Sequence, residues 1–288
     1  MKPDAVVKAE AALGALAESW EPVSNRIGND RGRWLVRLTG GGSVFVKAPY
    51  DEASAEWLDT EALVYRNVEA GFLPQLHAWD GELLVLEDLS EANWPPPWTE
   101  PAVAAVCAAL DELAAVTPPA GLPPLENLRG LLVDTGWPEI QADPGPLLSL
   151  GLCGREWLEA ALPELRAAAE AVELSGNSLV HVDIRSDNLC LRDGRALLFD
   201  WNQASIGNPR FDRAEWLPSL AAEGGPLPDQ LLPHADGATF ASVFAGFWGA
   251  RAGLAAPPWG PKLREVQRLQ AEIALSWAAR ALDLPPPS

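Results

Sequence analysis

Apolar residues in the first part of the chain alternate with polar ones in short runs, and one longer run at helical spacing lies among them. The short runs are predicted strands because polar or glycine-rich turns bound them, including TGGGS and an Asp-Gly pair. The predicted strands are EPVSNRIG (21–28), RWLVRL (33–38), VFVKA (44–48), PQLHAW (74–79) and ELLVLEDL (82–89). Residues 53–69 carry apolar side chains every three or four positions, which predicts an amphipathic helix. The pattern therefore predicts a five-stranded antiparallel sheet with a helix after its third strand.

The pattern changes after Leu89. The proline-rich stretch SEANWPPPWTEP cannot continue a strand, so we place a lobe boundary there, between residues 1–89 and residues 90–288. The helices predicted beyond it are 101–116, 155–173 with an interruption at Pro163, 237–254 and 261–283, with TPPAGLPPLENL and ADPGPL as connecting loops. Residues 1–20 carry charges at helical spacing and are predicted to form a leading surface helix. The fold class is therefore α+β, with a sheet-rich first lobe and a mainly helical second lobe.

The composition is that of an ordinary globular protein, with 48% hydrophobic and 21% charged residues in 288 positions. This is long for one hydrophobic core, so one or two domains are expected. The longest apolar run, 101–110, is too short to span a bilayer, and the N-terminus lacks the continuous apolar segment of a signal peptide. Three cysteines without a C-x-x-C pair predict neither a disulfide framework nor a zinc site. We therefore expect a cytoplasmic protein, monomer or homodimer, with no membrane partner.

Acidic residues dominate the charged set and give a formal net charge of −19 and a pI of about 4.5. Such a field repels a nucleic-acid backbone, which argues against nucleic acid as a partner. It favours cationic small molecules, although the same charge is also typical of a surface that is merely well solvated. Charge alone leaves these two interpretations open.

The stretch SLVHVDIRSDNLCLRDGRALLFDW, 178–201, concentrates polar groups between apolar strands. The Asp-Gly pair at 193–194 is a strong hairpin signal, and a hairpin that turns there places Asn188 opposite Phe199 and next to Asp200. Strict alternation would point Asn188 and Asp200 to opposite faces, so the ladder must end there if both bind one ion. Amide and carboxylate oxygens are ligands that suit magnesium held together with phosphates.

Asp183 precedes Asn188 by five residues. Asp-x-x-x-x-Asn followed by a separate Asp is the arrangement with which kinases orient the attacking hydroxyl and hold metal ions. Lys47 ends the third predicted strand and the next helix carries Glu61, a pair that kinases use to position nucleotide phosphates. Taken singly, Lys47 is typical of a solvated strand end and Glu61 of a helix surface. Kinase chemistry is predicted only by these residues together, in their order along the chain.

The chain resembles the aminoglycoside phosphotransferase family, small-molecule kinases of the protein-kinase-like superfamily. The segments that carry the resemblance are VFVK (44–47), EALVYR (61–66), LVLEDL (84–89), HVDIRSDN (181–188) and LLFDW with GNPRFD (197–212). The resemblance implies a bilobal protein-kinase-like fold, ATP as the phosphoryl donor with GTP left open, and Mg²⁺. The implied roles are catalytic for Asp183, magnesium-binding for Asn188 and Asp200, phosphate-binding for Lys47 braced by Glu61, nucleotide hinge for Leu86, Glu87, Asp88 and Leu89, and support of the catalytic loop for His181 and Asp212.

Four features depart from the family pattern, and none removes a catalytic group. Val182 stands where the family usually has Gly, so the backbone there is expected to suit a β-branched residue. Arg185 occupies a position that is more often His or Lys, and Gln203 one where an acidic residue is common. No G-x-G-x-x-G segment covers the phosphates, and GNDRGR at 28–33 is the nearest stretch.

Two functions follow from these residues. The first is an ATP- and Mg-dependent phosphotransferase that moves the γ-phosphoryl group to a hydroxyl of a small molecule, such as an amino sugar, a sugar or an aminoglycoside. Arg185, Trp201 and Trp216 are its candidate acceptor-binding residues, since indoles stack on sugar faces and cations. The alternative is a catalytically weak, kinase-like nucleotide-binding regulatory protein, against which the retention of every chemical group argues. A serine hydrolase would need a G-x-S-x-G elbow, which the sequence lacks.

Overall fold

The computed structural model describes residues 1–24 and 31–287, and its first lobe is built on an antiparallel sheet of five strands. The strands are β1 (Ala17–Pro22), β2 (Arg33–Leu38), β3 (Ser43–Lys47), β4 (Leu76–Trp79) and β5 (Leu84–Glu87), in the spatial order β1-β2-β3-β5-β4. Two helices, α1 (Asp4–Leu13) and α2 (Glu52–Asn67), accompany the sheet. The predicted five-stranded sheet, with a helix after its third strand, is confirmed.

Two predictions for the start of the chain are wrong. The leading helix expected over 1–20 ends at Leu13, because Gly14 takes a left-handed φ of 63° and terminates it. The residues that follow, Ala17–Pro22, form β1 instead, so the first strand starts before the predicted 21–28. Residues 25–28 of that predicted strand and residues 28–30 of the GNDRGR stretch lie outside the described residues.

The sheet buries different side chains on its two faces because successive residues of a strand alternate. Val44 and Val46 of β3 pack in a small core together with α1. Phe45 and Lys47 point to the opposite face, which lines the cleft between the lobes. The register of β2 with β3 pairs Arg33 with Lys47, so both cations lie side by side at this face.

The second lobe is mainly helical and carries two short β-ribbons. Its helices are α3 (Glu100–Ala114), α4 (Trp137–Ala142), α5 (Gly145–Ser149), α6 (Arg155–Glu170), α7 (Arg210–Ala222), α8 (Pro228–Leu231), α9 (His234–Ala252) and α10 (Leu263–Ala281). Its strands are β6 (Ser178–Val180), β7 (Leu189–Arg192), β8 (Arg195–Leu198) and β9 (Ser205–Gly207), with β6 paired to β9 and β7 to β8. In the described part of the chain, no helix is long and apolar enough to cross a membrane.

The helical lobe differs from the prediction in several places. Pro163 lies inside α6 without interrupting it, and the ADPGPL stretch expected to be a loop contributes the start of α5. A proline near a helix N-terminus is tolerated because the first amide groups have no partner within the helix, which explains how α5 starts there. Helices α4, α7 and α8 were not predicted, and α7 carries residues that bind the loop after β6.

Candidate active site

A cleft of about 510 Å³ lies between the sheet and the helical lobe. Among its lining residues are Lys47, Glu61, Leu86, Glu87, Asp88, Leu89, Asn188 and Asp200. The fold therefore brings to one cavity the residues predicted to bind the nucleotide and the metal, although they come from both halves of the chain.

Lys47 connects the two lobes. Its Nζ lies 2.5 Å from Asp200 Oδ1 and also forms an ion pair with Glu61 Oε2. Glu61 is buried on α2, whose first turn is fixed by a capping box between Asp51 and Ser54. Burial lowers the pKa of Lys47, but the carboxylates of Asp200 and Glu61 outweigh this, so the pKa lies above its ordinary value. The ammonium group is therefore charged at neutral pH and directed into the cleft.

Asp200 lies where the hairpin of β7 and β8 ends, as the sequence predicted. Arg192 pairs with Arg195 across the turn, and Phe199 N donates to Asn188 O at 3.0 Å in the last rung. Asp200 then takes a φ of 67°, which ends the regular alternation. Burial opposes ionisation of its carboxyl, yet neighbouring cations, Lys47 first, hold the pKa of Asp200 well below its ordinary value. The carboxylate is ionised, as a metal ligand must be.

Asp183 lies in the loop between β6 and β7, and its carboxylate binds two side chains. Arg185 Nε is 2.8 Å from Asp183 Oδ1, and Asn188 Nδ2 donates to Asp183 Oδ2 at 2.9 Å. Asn188 Nδ2 also donates to the main-chain oxygen of Asp183 at 2.8 Å. Removal from water raises the pKa of Asp183, although Arg185 opposes this effect. The loop thus holds a carboxylate of increased basicity beside the predicted metal ligands.

The two carboxylates of the predicted hinge, Glu87 and Asp88, both bind other side chains or backbone groups of the protein. Glu87 forms ion pairs with Arg192, and Asp88 accepts hydrogen bonds from Ser43 Oγ and, at 2.8 Å, from Ser90 N. These carboxylates are therefore occupied by protein groups. Part of the hinge backbone is occupied as well, because Glu87 N donates to Gln75 O at 3.0 Å and Leu89 O accepts from Trp94 Nε1 at 2.9 Å. The hinge therefore offers to the cleft its remaining backbone groups and the apolar side chains that line it.

A family comparison decides the class of protein. A model of the phosphotransferase enzyme family matches residues 15–248, which is most of the chain. The chain belongs to this family. The prediction of a small-molecule phosphotransferase with a bilobal, kinase-like fold is therefore confirmed at the level of the family.

Solved structures of other phosphotransferases have the same fold. An aminoglycoside phosphotransferase from Alicyclobacillus acidocaldarius is 15% identical with a TM-score of 0.63, over 98% of this chain and 95% of that chain. A choline/ethanolamine kinase family protein from Mesorhizobium loti is 15% identical with a TM-score of 0.60, over 96% of this chain and 97% of that chain. At this identity the likeness shows the fold alone. A comparison with curated proteins finds no match.

The loop predicted to be catalytic, residues 181–188, is held by hydrogen bonds to α7. Asp212 accepts hydrogen bonds from His181 N at 2.7 Å and Val182 N at 2.8 Å, and Glu215 accepts one from Ile184 N at 2.9 Å. Asp212 and Glu215 are three positions apart on one helix, so both carboxyls face the loop. A supporting role was predicted for Asp212 but not for Glu215.

Two further residues complete this support. His181 is fully buried, and its Nε2 contacts Phe199 O at 2.9 Å, which connects the loop to the end of the hairpin. Burial lowers the pKa of His181, so the neutral ring is favoured. Glu223, near the end of α7, accepts from Ser186 Oγ at 2.7 Å and from Trp98 Nε1 at 2.9 Å. Hydrogen bonds to protein groups thus hold the loop at four positions between His181 and Ser186.

We expect the substitution Glu215→Gln to change how stability depends on pH. Burial, and then the charge of Asp183, raises the pKa of Glu215 well above its ordinary value of 4.5. The stability that this protonated group contributes is present below the unfolded pKa and is lost as the pH rises through the folded pKa. Glutamine keeps an acceptor for Ile184 N and does not titrate. The free energy of unfolding of E215Q, measured with urea, should therefore rise relative to wild type as the pH increases above the ordinary pKa of 4.5.

A matched control is available on α6, where Glu164 is exposed. The variant E164Q makes the same exchange away from the loop and should follow the pH dependence of the wild type. If the difference between E215Q and wild type does not change with pH, Glu215 does not titrate in this way.

Val182 contradicts one expectation. Its φ is 72°, in the left-handed region that disfavours β-branched residues, so the backbone does not suit this side chain. The bonds from His181 N and Val182 N to Asp212 hold the loop in this conformation. The strain of a non-glycine residue in such a position costs about 1–3 kcal/mol.

Glycine at position 182 should remove this strain. We expect Val182→Gly to stay within about 1 kcal/mol of the wild-type free energy of unfolding, because strain relief offsets the lost packing and the more flexible unfolded chain. Val182→Ala loses similar packing but keeps a Cβ atom, so it should be the less stable of the two. Urea unfolding of both variants tests this, and a V182A protein more stable than V182G would contradict it.

Two of the three predicted acceptor residues are not at the site. Trp201 and Trp216 are fully buried, so neither can stack on an acceptor, and that part of the prediction is wrong. Trp201 packs on Phe72 and His181, and Trp216 packs on Trp98. They are core residues that lie next to site residues in the sequence. Arg185 does lie at the site, where it binds Asp183 and lies 3.5 Å from Asp187.

The predicted metal ligands fit a magnesium ion held together with phosphates. Asn188 uses its Nδ2 for the two bonds to Asp183, and no described residue donates a hydrogen bond to its Oδ1. Asp200 offers an ionised carboxylate on the same cleft. These are hard oxygen donors of the kind that Mg²⁺ prefers. Among the described residues, no group of three His, Cys, Asp or Glu side chains forms a metal site by itself.

Proposed function

We propose that the protein is an ATP- and Mg-dependent kinase that transfers the γ-phosphoryl group to a hydroxyl of a small molecule. The observation that carries this proposal is the joint position of Lys47, Asn188 and Asp200 on one cleft whose other wall is the hinge. Kinases that use ATP as the phosphoryl donor need these parts together, because catalysis of phosphoryl transfer is mainly positioning and electrostatic stabilisation.

Each residue has a defined task in this proposal. Asp183 accepts the proton of the attacking hydroxyl, and its raised pKa suits a base better than an ordinary aspartate. Arg185 holds that carboxylate in place through its contact at 2.8 Å. Lys47 binds nucleotide phosphates, while Asn188 and Asp200 would hold magnesium. Bound Mg²⁺ would neutralise charge on the phosphates.

The acceptor is proposed to be an amino sugar, a sugar or an aminoglycoside. The acceptor must carry a hydroxyl group, because the proposed role of Asp183 is to accept a hydroxyl proton. A cationic group is supported by the net charge of −19, which raises the local concentration of cations. The structurally similar proteins are named as an aminoglycoside phosphotransferase and a choline/ethanolamine kinase family protein, which guides the choice of test compounds. The three free cysteines suit the proposed cytoplasmic location.

A panel assay tests the proposal. The purified protein is incubated with ATP or GTP, with Mg²⁺ or with EDTA, and with aminoglycosides, amino sugars, neutral sugars and amino alcohols. We expect Mg-dependent formation of a phosphomonoester with one acceptor class, detected by phosphorus NMR, and release of nucleoside diphosphate. Nucleotide binding without transfer to any acceptor would instead favour the regulatory alternative, which no structural observation favours at present. Failure to bind any nucleotide would contradict both.

A further inference from the structure

Arg33 is a cation of the cleft that the comparison with the family pattern did not assign. It is the first residue of β2, its side chain is only 16% exposed, and it lines the same cleft as Lys47. The β2–β3 register pairs the two residues directly. Two adjacent positive charges on one wall of a cavity repel each other unless anions lie between them.

The contacts of Arg33 leave part of its guanidinium unused. Nη2 lies 3.4 Å from Asp200 Oδ2, a long contact, and this is its ion pair within the described residues. Nη1 is buried and has no hydrogen-bond partner in the described part of the chain. A buried donor without a partner is costly, so this nitrogen is suited to an acceptor that the protein itself does not provide.

The surrounding charges indicate which acceptor fits. Lys47 already binds Glu61 and Asp200, and Asp200 is the proposed metal ligand. If Asp200 serves the metal, Arg33 loses its carboxylate and needs another anion at the same place. A guanidinium binds phosphate oxygens with two parallel hydrogen bonds, which an ammonium cannot do. The sequence also has no G-x-G-x-x-G segment whose backbone amides would serve the phosphates.

We propose that Arg33 is a second phosphate-binding cation of the nucleotide site and acts beside Lys47 in place of a glycine-rich cover. Its ligand is the polyphosphate of a nucleoside di- or triphosphate, and its contact with Asp200 is exchanged for that ligand on binding. This inference depends on the proposed nucleotide site but names a residue and an interaction beyond it.

Equilibrium binding of ligands with and without phosphate groups tests whether Arg33 binds the phosphates. Isothermal titration calorimetry with adenosine, ADP and ATP, each with Mg²⁺ and with EDTA, is carried out on wild type, Arg33→Gln and Arg33→Lys. R33Q should weaken ADP and ATP binding by about 10- to 100-fold and leave adenosine binding unchanged, since charge-assisted hydrogen bonds to phosphate are lost. R33K should bind with intermediate affinity, because it restores the charge without the fork.

The matched control is Arg37→Gln on the same strand. Arg37 is exposed and does not line the cleft, so its variant removes an equal charge and should bind all three ligands like wild type. Thermal unfolding of each variant checks that the lobe is intact. R33Q binding ATP as tightly as wild type would overturn the proposal, and tighter binding would show that Arg33 only competes for Asp200. A wild type that binds neither adenosine nor ATP would instead remove the nucleotide site itself, and with it this role of Arg33.

Discussion

Replacing Asp183 by Asn should lower kcat by about 10²–10⁴-fold while MgATP binding is kept, because a positioned base contributes that much and the amide cannot accept the proton. Asn retains the size of the side chain and a group that can meet Arg185, now bound to Asp183 at 2.8 Å. The loop support from Asp212 and Glu215 does not involve this carboxylate. Steady-state kinetics with the acceptor identified in the panel, together with calorimetry of MgATP, measure the two effects separately.

The control for Asp183→Asn is the same exchange at Asp193. This aspartate lies exposed at the hairpin turn with a φ of 52°, which Asn adopts readily. D193N should have the wild-type kcat. A D183N protein that also keeps the wild-type kcat would show that catalysis occurs elsewhere or without this base.

The second large effect is expected for Asp200→Asn. The change removes a proposed metal ligand, so kcat/KM for MgATP should fall by more than about 100-fold. Loss of a residue that only contacts a metal ligand already costs about 10- to 100-fold, and loss of the ligand itself should cost more. It also frees Lys47 and Arg33 from the carboxylate at 2.5 Å and 3.4 Å. Binding of ATP in EDTA should therefore be kept or become tighter, because two cations then face the phosphates without a competing anion.

This opposite response to metal distinguishes Asp200 from Asp183. D183N should keep the Mg-dependent increase in ATP affinity, and D200N should lose it. We expect D200N to fold, since Lys47 retains its ion pair with Glu61. Circular dichroism checks this. If D200N shows the same dependence of ATP affinity on Mg²⁺ as the wild type, Asp200 is not a metal ligand.

The elements that the sequence predicted are those governed by local rules. The hairpin of β7 and β8 follows from its Asp-Gly turn, and the sheet follows from alternation within each strand. Helix α7 escaped prediction because every residue from Ala214 to Leu220 is buried. A helix buried on all sides has no polar face, so the periodicity that reveals surface helices is missing.

In the site, too, some residues could be predicted from local sequence patterns and others could not. Lys47, Asp183 and Asp200 could be chosen because their spacing matches one mechanism. Residues such as Arg33 and Glu215 depend on the register of two strands and on which face of α7 meets the loop, and no local pattern encodes either. Trp201 and Trp216 were predicted to contact an acceptor, which is wrong because both are fully buried; adjacency to site residues does not fix the direction of a side chain. The spacing of residues along the chain thus predicts which chemical groups take part. The burial of each side chain and the direction in which it points depend on the assembled fold.

A crystal structure with a non-hydrolysable ATP analogue and Mn²⁺ tests the central claim most directly, because anomalous scattering locates the metal without ambiguity. We predict one or two manganese ions bound to Asn188 Oδ1 and the Asp200 carboxylate, with phosphates on Lys47 and adenine against the hinge backbone. A nucleotide bound outside the cleft, or a metal that contacts neither Asn188 nor Asp200, would contradict the account.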